Sequence, residues 1–176
     1  LEPGNYIANF RTDGSHSFGN WSSPAPMDGE LWGMTVVPVN AADRSAFEPY
    51  DESAASADVI VRLVGMTDGE DARATFALEA PTNVRVYAIG EGSGGSMHDY
   101  GWIEDRTTGQ VVWEMTYRLT SDAGGASKNR QFNGVVHLPA GSYVLRYRSD
   151  DSHSSERWNA EMPDDPASYG ITLYRR

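Results

Sequence analysis

Residues 131–149 read QFNGVVHLPAGSYVLRYRS, and this stretch decides the fold class. Two runs rich in β-branched and aromatic residues, 131–138 and 142–149, flank Pro139-Ala140-Gly141, a tight turn that Gly can close with positive φ. In the second run Tyr143, Leu145 and Tyr147 alternate with Val144, Arg146 and Arg148. That period of two turns one face of a strand inward and leaves the other mixed. Working outward, the same signature recurs at 58–64 (DVIVRLV), 73–79 (RATFALE), 83–89 (NVRVYAI), 100–104 (YGWIE), 110–117 (QVVWEMTY) and 169–175 (YGITLYR). Asp105–Gly109 reads as a hairpin loop, and no long segment carries a helical stripe. About eight short strands between turn signals predict an all-β chain, an antiparallel β-sandwich or jelly roll.

The chain also repeats itself. Moved along by 137 positions, residues 1–36 lie without a gap on residues 138–173. Thirteen positions are identical, among them Gly4/Gly141, Tyr6/Tyr143, Asp13/Asp150, His16/His153, Trp21/Trp158 and Gly33/Gly170. Matches at rare residue types such as His and Trp make this a duplication, in which the end of a unit occurs twice. The order is tail, linker, head, tail. Residues 1–39 form the partial repeat; 40–57 (NAADRSAFEPYDESAASA), small and polar without periodicity, form a linker; 58–176 form the complete unit. The first tail is expected to be a two-strand extension, 4–11 and 31–38, repeating the closing strands. Two strands bury no core alone. They pack on the chain's own unit, or complete a sheet of another chain in head-to-tail strand addition, or belong to a preceding segment of a tandem array. The opening residue, Leu1, is in keeping with a processed or excised piece.

Composition excludes several function classes. Twenty-five acidic against 14 basic residues give a net charge of −11, which repels a phosphate backbone or an anionic lipid surface, so nucleic acid is not an expected partner. The absence of cysteine excludes disulfides, thiolate zinc sites and a cysteine nucleophile. No run approaches the roughly 18 to 20 apolar residues of a membrane-spanning helix. Five Trp, nine Tyr and five Phe supply core material and exclude general disorder. An acidic, turn-rich, cysteine-free chain is also typical of bacterial secreted modules, so the expected location is extracellular or the cell surface.

GVVHLPAGSYVLRYRSDD (134–151) with YGITLYRR (169–176) resembles the closing strands of bacterial pre-peptidase C-terminal domains and related jelly-roll modules. Those modules commonly show a Leu-x-Ala-Gly-x-Tyr turn and end on a Tyr-x-(Ile/Leu)-x-(Leu/Val) strand. The resemblance covers roughly the C-terminal third of the unit. It implies a secreted, non-catalytic sandwich used in binding or secretion, sometimes holding calcium. The Ser-Asp-Asp-Ser-His-Ser segment and Trp158-Asn159 depart from that pattern.

The most specific local feature is Arg-(Ser/Thr)-Asp-x-Ser-His-Ser-x3-Trp, at 11–21 and again at 148–158. In a catalytic reading Asp13 or Asp150 orients His16 or His153 as a base or metal ligand, and Ser15, Ser17, Ser152 or Ser154 supplies a hydroxyl. The spacing favours architecture instead. Catalytic triads are drawn from distant parts of a chain, whereas Asp, Ser and His within one short loop make an Asx-turn. On that reading Trp21 or Trp158 plugs an apolar gap and the histidine caps backbone carbonyls. The N-terminal copy keeps the loop although it lacks the head that would complete a cleft, which favours the same conclusion, and no catalytic residue is expected.

Calcium is the one cofactor the loops bring into view, since it takes six to eight oxygen ligands. Asp150, Asp151, Asp164 and Asp165 flank one acidic loop, and Glu91, Asp99, Glu104 and Asp105 another. Gly90–Ser96 reads as a flexible connection rather than a phosphate cradle, because neither a helix nor a lysine follows it. His98, Asp99 and His137 are too scattered for a zinc site. Tyr100, Trp102, Trp113, Tyr117 and Phe132 would serve a carbohydrate ligand only if two or more rings were exposed and coplanar. The functional expectation is a non-catalytic extracellular module for binding, adhesion or self-assembly through its N-terminal strands, with a protein or carbohydrate ligand. The alternative is a hydrolase or carbohydrate-binding accessory domain with a site around the repeated loop.

Overall fold

The computed structural model describes Tyr6, Ala8, Phe10, Thr12, and residues 15–47 and 58–176, and the chain divides into two compact units, 1–52 and 53–176. In the first unit β1 (His16–Ser17) and β2 (Asn20–Trp21) form a short antiparallel hairpin, followed by one 3-10 turn at Gly29–Leu31 and another at Ala41–Ala46. The expected strand 31–38 is not formed, since Leu31 closes a 3-10 turn and residues 33–38 carry no regular structure; of the expected strand 4–11 only Tyr6, Ala8 and Phe10 are described, and none of them is in a strand. The physical reason is the ladder. A strand satisfies its backbone N–H and C=O groups on neighbours, and among the described residues of the first unit the only ladder is the two-residue β1–β2 pair, which 31–38 does not join. The linker expected at 40–57 begins with the second 3-10 turn, and its residues 48–57 lie outside the described residues.

The second unit contains all eight expected strands. They are β3 (Val59–Val64), β4 (Asp71–Leu78), β5 (Thr82–Ser93), β7 (Tyr100–Asp105), β8 (Val111–Glu114), β10 (Asn129–Leu138), β11 (Gly141–Arg148) and β12 (Gly170–Arg175). Two short pieces, β6 (Ser96–Met97) and β9 (Ser121–Asp122), add to their edges. One sheet runs β3-β12-β5-β10-β9 with β6 beside β5, and the other runs β4-β11-β7-β8, with every ladder antiparallel. β3 to β4, β4 to β5, β10 to β11 and β11 to β12 cross between the sheets, whereas β5/β6, β7/β8 and β9/β10 pair within one. The two last strands of the unit, β11 and β12, each take an inner place, β11 between β4 and β7 and β12 between β3 and β5.

Alternation fills the space between the sheets. Val84, Val86 and Ala88 of β5, Ile103 of β7, Tyr143, Leu145 and Tyr147 of β11, and Ile171 and Leu173 of β12 are all buried in one core. At about 25 cal/mol per Å² of apolar area, such side chains are the main stabilising content of the unit. Two turns differ from expectation. Gly141 is not among the residues with positive φ; its turn is held by the Tyr143 hydroxyl, which donates to the Pro139 carbonyl at 2.8 Å. Gly90–Ser96 is no flexible connection but part of a β5–β6 hairpin, turned by Gly94 and Gly95 at φ +59° and +90°. The Asp105 loop is built as read, with the carboxylate accepting the N–H groups of Thr107 and Thr108.

Candidate functional site: the twice-built aromatic and histidine loop

In the complete unit the loop between β11 and β12 folds back onto the segment joining β3 and β4. The Ser149 N–H donates to the Glu70 carbonyl, the Glu70 N–H to Ser149 Oγ, and both the N–H and the hydroxyl of Ser155 donate to the Met66 carbonyl. Asp150 makes the Asx-turn, accepting the Ser152 N–H at 2.9 Å and its hydroxyl at 3.3 Å. His153 is fully buried and adopts φ +61°, the one non-glycine residue at positive φ among the described residues. Its ring does not cap backbone carbonyls. Nε2 meets Asn129 Oδ1, and Nδ1 lies 3.1 Å from Asn159 Oδ1. Because the Asn129 amide nitrogen is committed to the carbonyls of Gly124 and Glu161, its oxygen faces the ring and Nε2 must be the donor. Burial, and after it the charge of Lys128, hold the His153 pKa below its ordinary value. A base needs an open path to its substrate, and this ring is enclosed, with its Nε2 bound to Asn129 and its Nδ1 facing Asn159.

From His153 an edge-to-face ladder of rings runs into the core. His153 meets Trp158 at 4.9 Å between centroids, Trp158 meets Tyr169 at 5.0 Å, and Tyr169 meets Tyr147 at 6.4 Å. Contacts of this kind contribute about 0.5–1.5 kcal/mol each beyond the area they bury. Two of the rings end in buried hydroxyls that find acceptors: Tyr147 donates to the Ile89 carbonyl at 2.8 Å and Tyr169 to Asp99 Oδ2 at 2.6 Å. Asp99 Oδ1 accepts the Asp150 N–H at 2.8 Å. Burial raises the Asp99 pKa to about 6, with these two hydrogen bonds opposing the shift and the charges of Asp150 and Glu91 adding to it. Burial likewise raises the pKa of both tyrosines.

The same ladder is built a second time. His16 meets Trp21 at 4.9 Å, Trp21 meets Trp32 at 5.1 Å, and Trp32 meets Phe10 at 6.2 Å. All four residues stand 137 positions before their counterparts His153, Trp158, Tyr169 and Tyr147. The correspondence continues along the backbone. The 3-10 turns at Gly29–Leu31 and Pro166–Ser168 coincide under the same shift, each preceded by an aspartate, and the glycines that follow have φ +148° (Gly33) and +130° (Gly170). His16 Nδ1 lies 3.3 Å from Ser22 Oγ, where His153 faces Asn159. What differs is cover. Phe10, Met34 and Val36 are 50, 51 and 55% exposed, whereas Tyr147, Ile171 and Leu173 are wholly buried.

Among the expected site residues, Asp13 lies outside the described residues, and Ser15 stands directly before β1 in the first copy of the loop. The four acidic residues proposed for calcium do not gather: Asp165 accepts from the Tyr87 hydroxyl at 3.1 Å, Asp164 lies against Gly124, and Asp151 lies near Gly69. Asp150 instead stands with Glu91 and Asp99, their ligand atoms within 4.8 Å of one another. Of their six carboxylate oxygens, Glu91 Oε1 is paired with Lys128 at 2.9 Å, both oxygens of Asp99 accept hydrogen bonds from Tyr169 and the Asp150 N–H, and Asp150 Oδ1 accepts from Ser152. The aromatic set forms no flat sugar platform at Tyr100 and Trp102, whose planes are inclined at 38° and whose faces carry the guanidinium groups of Arg148 and Arg146. Trp113 and Phe132 pack against the core.

Sequence reasoning missed Asn129, Asn159, Asp99 and Tyr169 as partners of the loop. A signal existed for part of this, because aligning the copies by residue class rather than identity pairs Phe10 with Tyr147 and Trp32 with Tyr169. Comparison with protein-family models and with curated proteins finds no match for this chain.

Proposed function

We propose that the chain is a non-catalytic β-sandwich module of a repeated series, serving binding or assembly outside the bacterial cell. The observation that carries this reading is the ladder built twice with one geometry, sealed inside the sandwich in the second unit and more exposed in the first. A packing device is needed in every repeat, and edge-to-face rings at matching distances are what the two copies share. The enclosure of His153, the Asx-turn at Asp150 and the insertion of Trp158 all serve to hold the long β11–β12 crossover on the sheets. The extracellular placement rests on the acidic, turn-rich composition and on the resemblance of the closing strands.

The test is a pair of matched substitutions in the whole chain. His153→Ala removes the Nε2 hydrogen bond to Asn129 and a buried ring and is expected to cost about 3 kcal/mol, lowering the main unfolding midpoint by roughly 10 °C. His16→Ala should leave that transition within about 2 °C of its original place. A His153→Ala protein with an unchanged midpoint would remove the packing role and return the loop to the hydrolase alternative.

A further inference from the structure

The first tail displays an apolar surface whose cover can be read from its own duplicate. In the complete unit Tyr147, Ile171 and Leu173 are covered by the head, residues 58–137, and β11 and β12 each lie between two head strands. A Cβ placed on Gly170 would come within 2.1 Å of the Leu63 carbonyl of β3, while one on Gly33 meets nothing within 4 Å. Among the described residues no strand flanks Gly33 as β3 flanks Gly170. A polar group gives the same indication. The Trp32 indole N–H is shielded from water and makes no hydrogen bond, and it stands where Tyr169 donates its hydroxyl to Asp99. A shielded, unpaired donor costs about 1–3 kcal/mol, a penalty that an acceptor on a partner would remove.

Resting on the reading of the chain as a repeat module, we propose that the surface formed by Phe10, Trp32, Met34 and Val36 is a docking element for an open sandwich head. The partner is a polypeptide of the residue 58–137 kind that lacks closing strands of its own. It offers vacant inner strand places in both sheets and a buried carboxylate, in the position of Asp99, facing the Trp32 N–H. A second copy of this chain is not that partner, because its head is already closed by its own β11 and β12. Docking would convert Met34–Val36 into a strand by giving its backbone groups a neighbour on each side.

The experiment supplies that head and leaves the whole chain intact. Since the duplicates align without a gap, residues 58–137 are joined directly ahead of Leu1, giving a polypeptide in which the added head meets the first tail as His137 meets Leu138. The expected result is a second cooperative unfolding unit, with a calorimetric enthalpy about twice that of the 1–176 chain and a blue-shifted Trp32 emission. Met34→Asp, which places a charge at the position of Ile171, should abolish the added transition and leave the original one in place. An added head that remains protease-sensitive, with the enthalpy unchanged, overturns the proposal. So does a 1–176 chain whose mass by light scattering climbs from 19.3 kDa to that of a dimer with concentration, because the partner would then be a second copy. Neither outcome touches the packing role of the loop, which the His153→Ala comparison tests separately.

Discussion

Asp99 has no solvent exposure, yet it holds the end of the aromatic ladder and the start of the crossover at once, through Tyr169 and through the Asp150 N–H. Its pKa of about 6 in the folded chain stands above the ordinary value of 3.8, so the folded state binds the proton more tightly than the unfolded one. Its contribution to stability is therefore full below pH 4 and is lost as pH rises towards 6, a change of about 3 kcal/mol. His153 acts in the opposite sense. With its pKa depressed, its contribution is full above the ordinary histidine value of 6.5 and is lost as pH falls below it. Asp99→Asn isolates the first effect. The stability of the original chain relative to this variant should rise on acidification from pH 7 to pH 4, as measured by urea unfolding. A difference that stays flat across that window would mean that Asp99 titrates as an ordinary surface carboxyl.

Gly170 opens β12 at φ +130° with the β3 backbone pressed against the place a side chain would occupy. Its duplicate Gly33 has φ +148° and open space. Alanine at either position meets backbone strain, but only at Gly170 does it also collide with a neighbouring strand. Gly170→Ala is expected to unfold the sandwich or lower its midpoint by well over 10 °C, and Gly33→Ala to leave that midpoint unchanged in the same thermal scan. The contrast shows what was legible in the sequence. The eight strands of the complete unit could be read because alternation such as Tyr143, Leu145, Tyr147 is a local consequence of burial on one face. Strands at 4–11 and 31–38 were read from the duplication; residues 33–38 carry no regular structure, because a strand also needs ladder partners and likeness to a duplicate does not report whether they exist, while most of 4–11 lies outside the described residues. The loop residues were legible from duplication, their partners were not: Asn129 lies 24 positions from His153, and Asp99 lies 70 from Tyr169. Only the folded topology brings such pairs together.

The molecule as a whole pairs a well-buried sandwich with a unit that keeps large apolar side chains in water, Phe10, Phe18, Leu31, Met34, Val36 and Val37 among them. A cluster of this kind binds hydrophobic dyes and marks a surface meant to be covered. Deleting residues 1–39 should abolish most of the enhancement of a fluorescent naphthalene-sulfonate dye while the sandwich unfolds at its original temperature. Strong dye binding by the shortened chain would place the sticky surface on the sandwich instead. The position of β11 and β12 has a further consequence, in the order of manufacture. A ribosome releases β3 to β10 first, so each nascent sheet waits with a gap at its centre until residues 141–175 have emerged. The sandwich cannot zip up strand by strand as it is made. It closes late and at once, and a chain stalled before Gly170 leaves the ribosome with the middle of one sheet still missing.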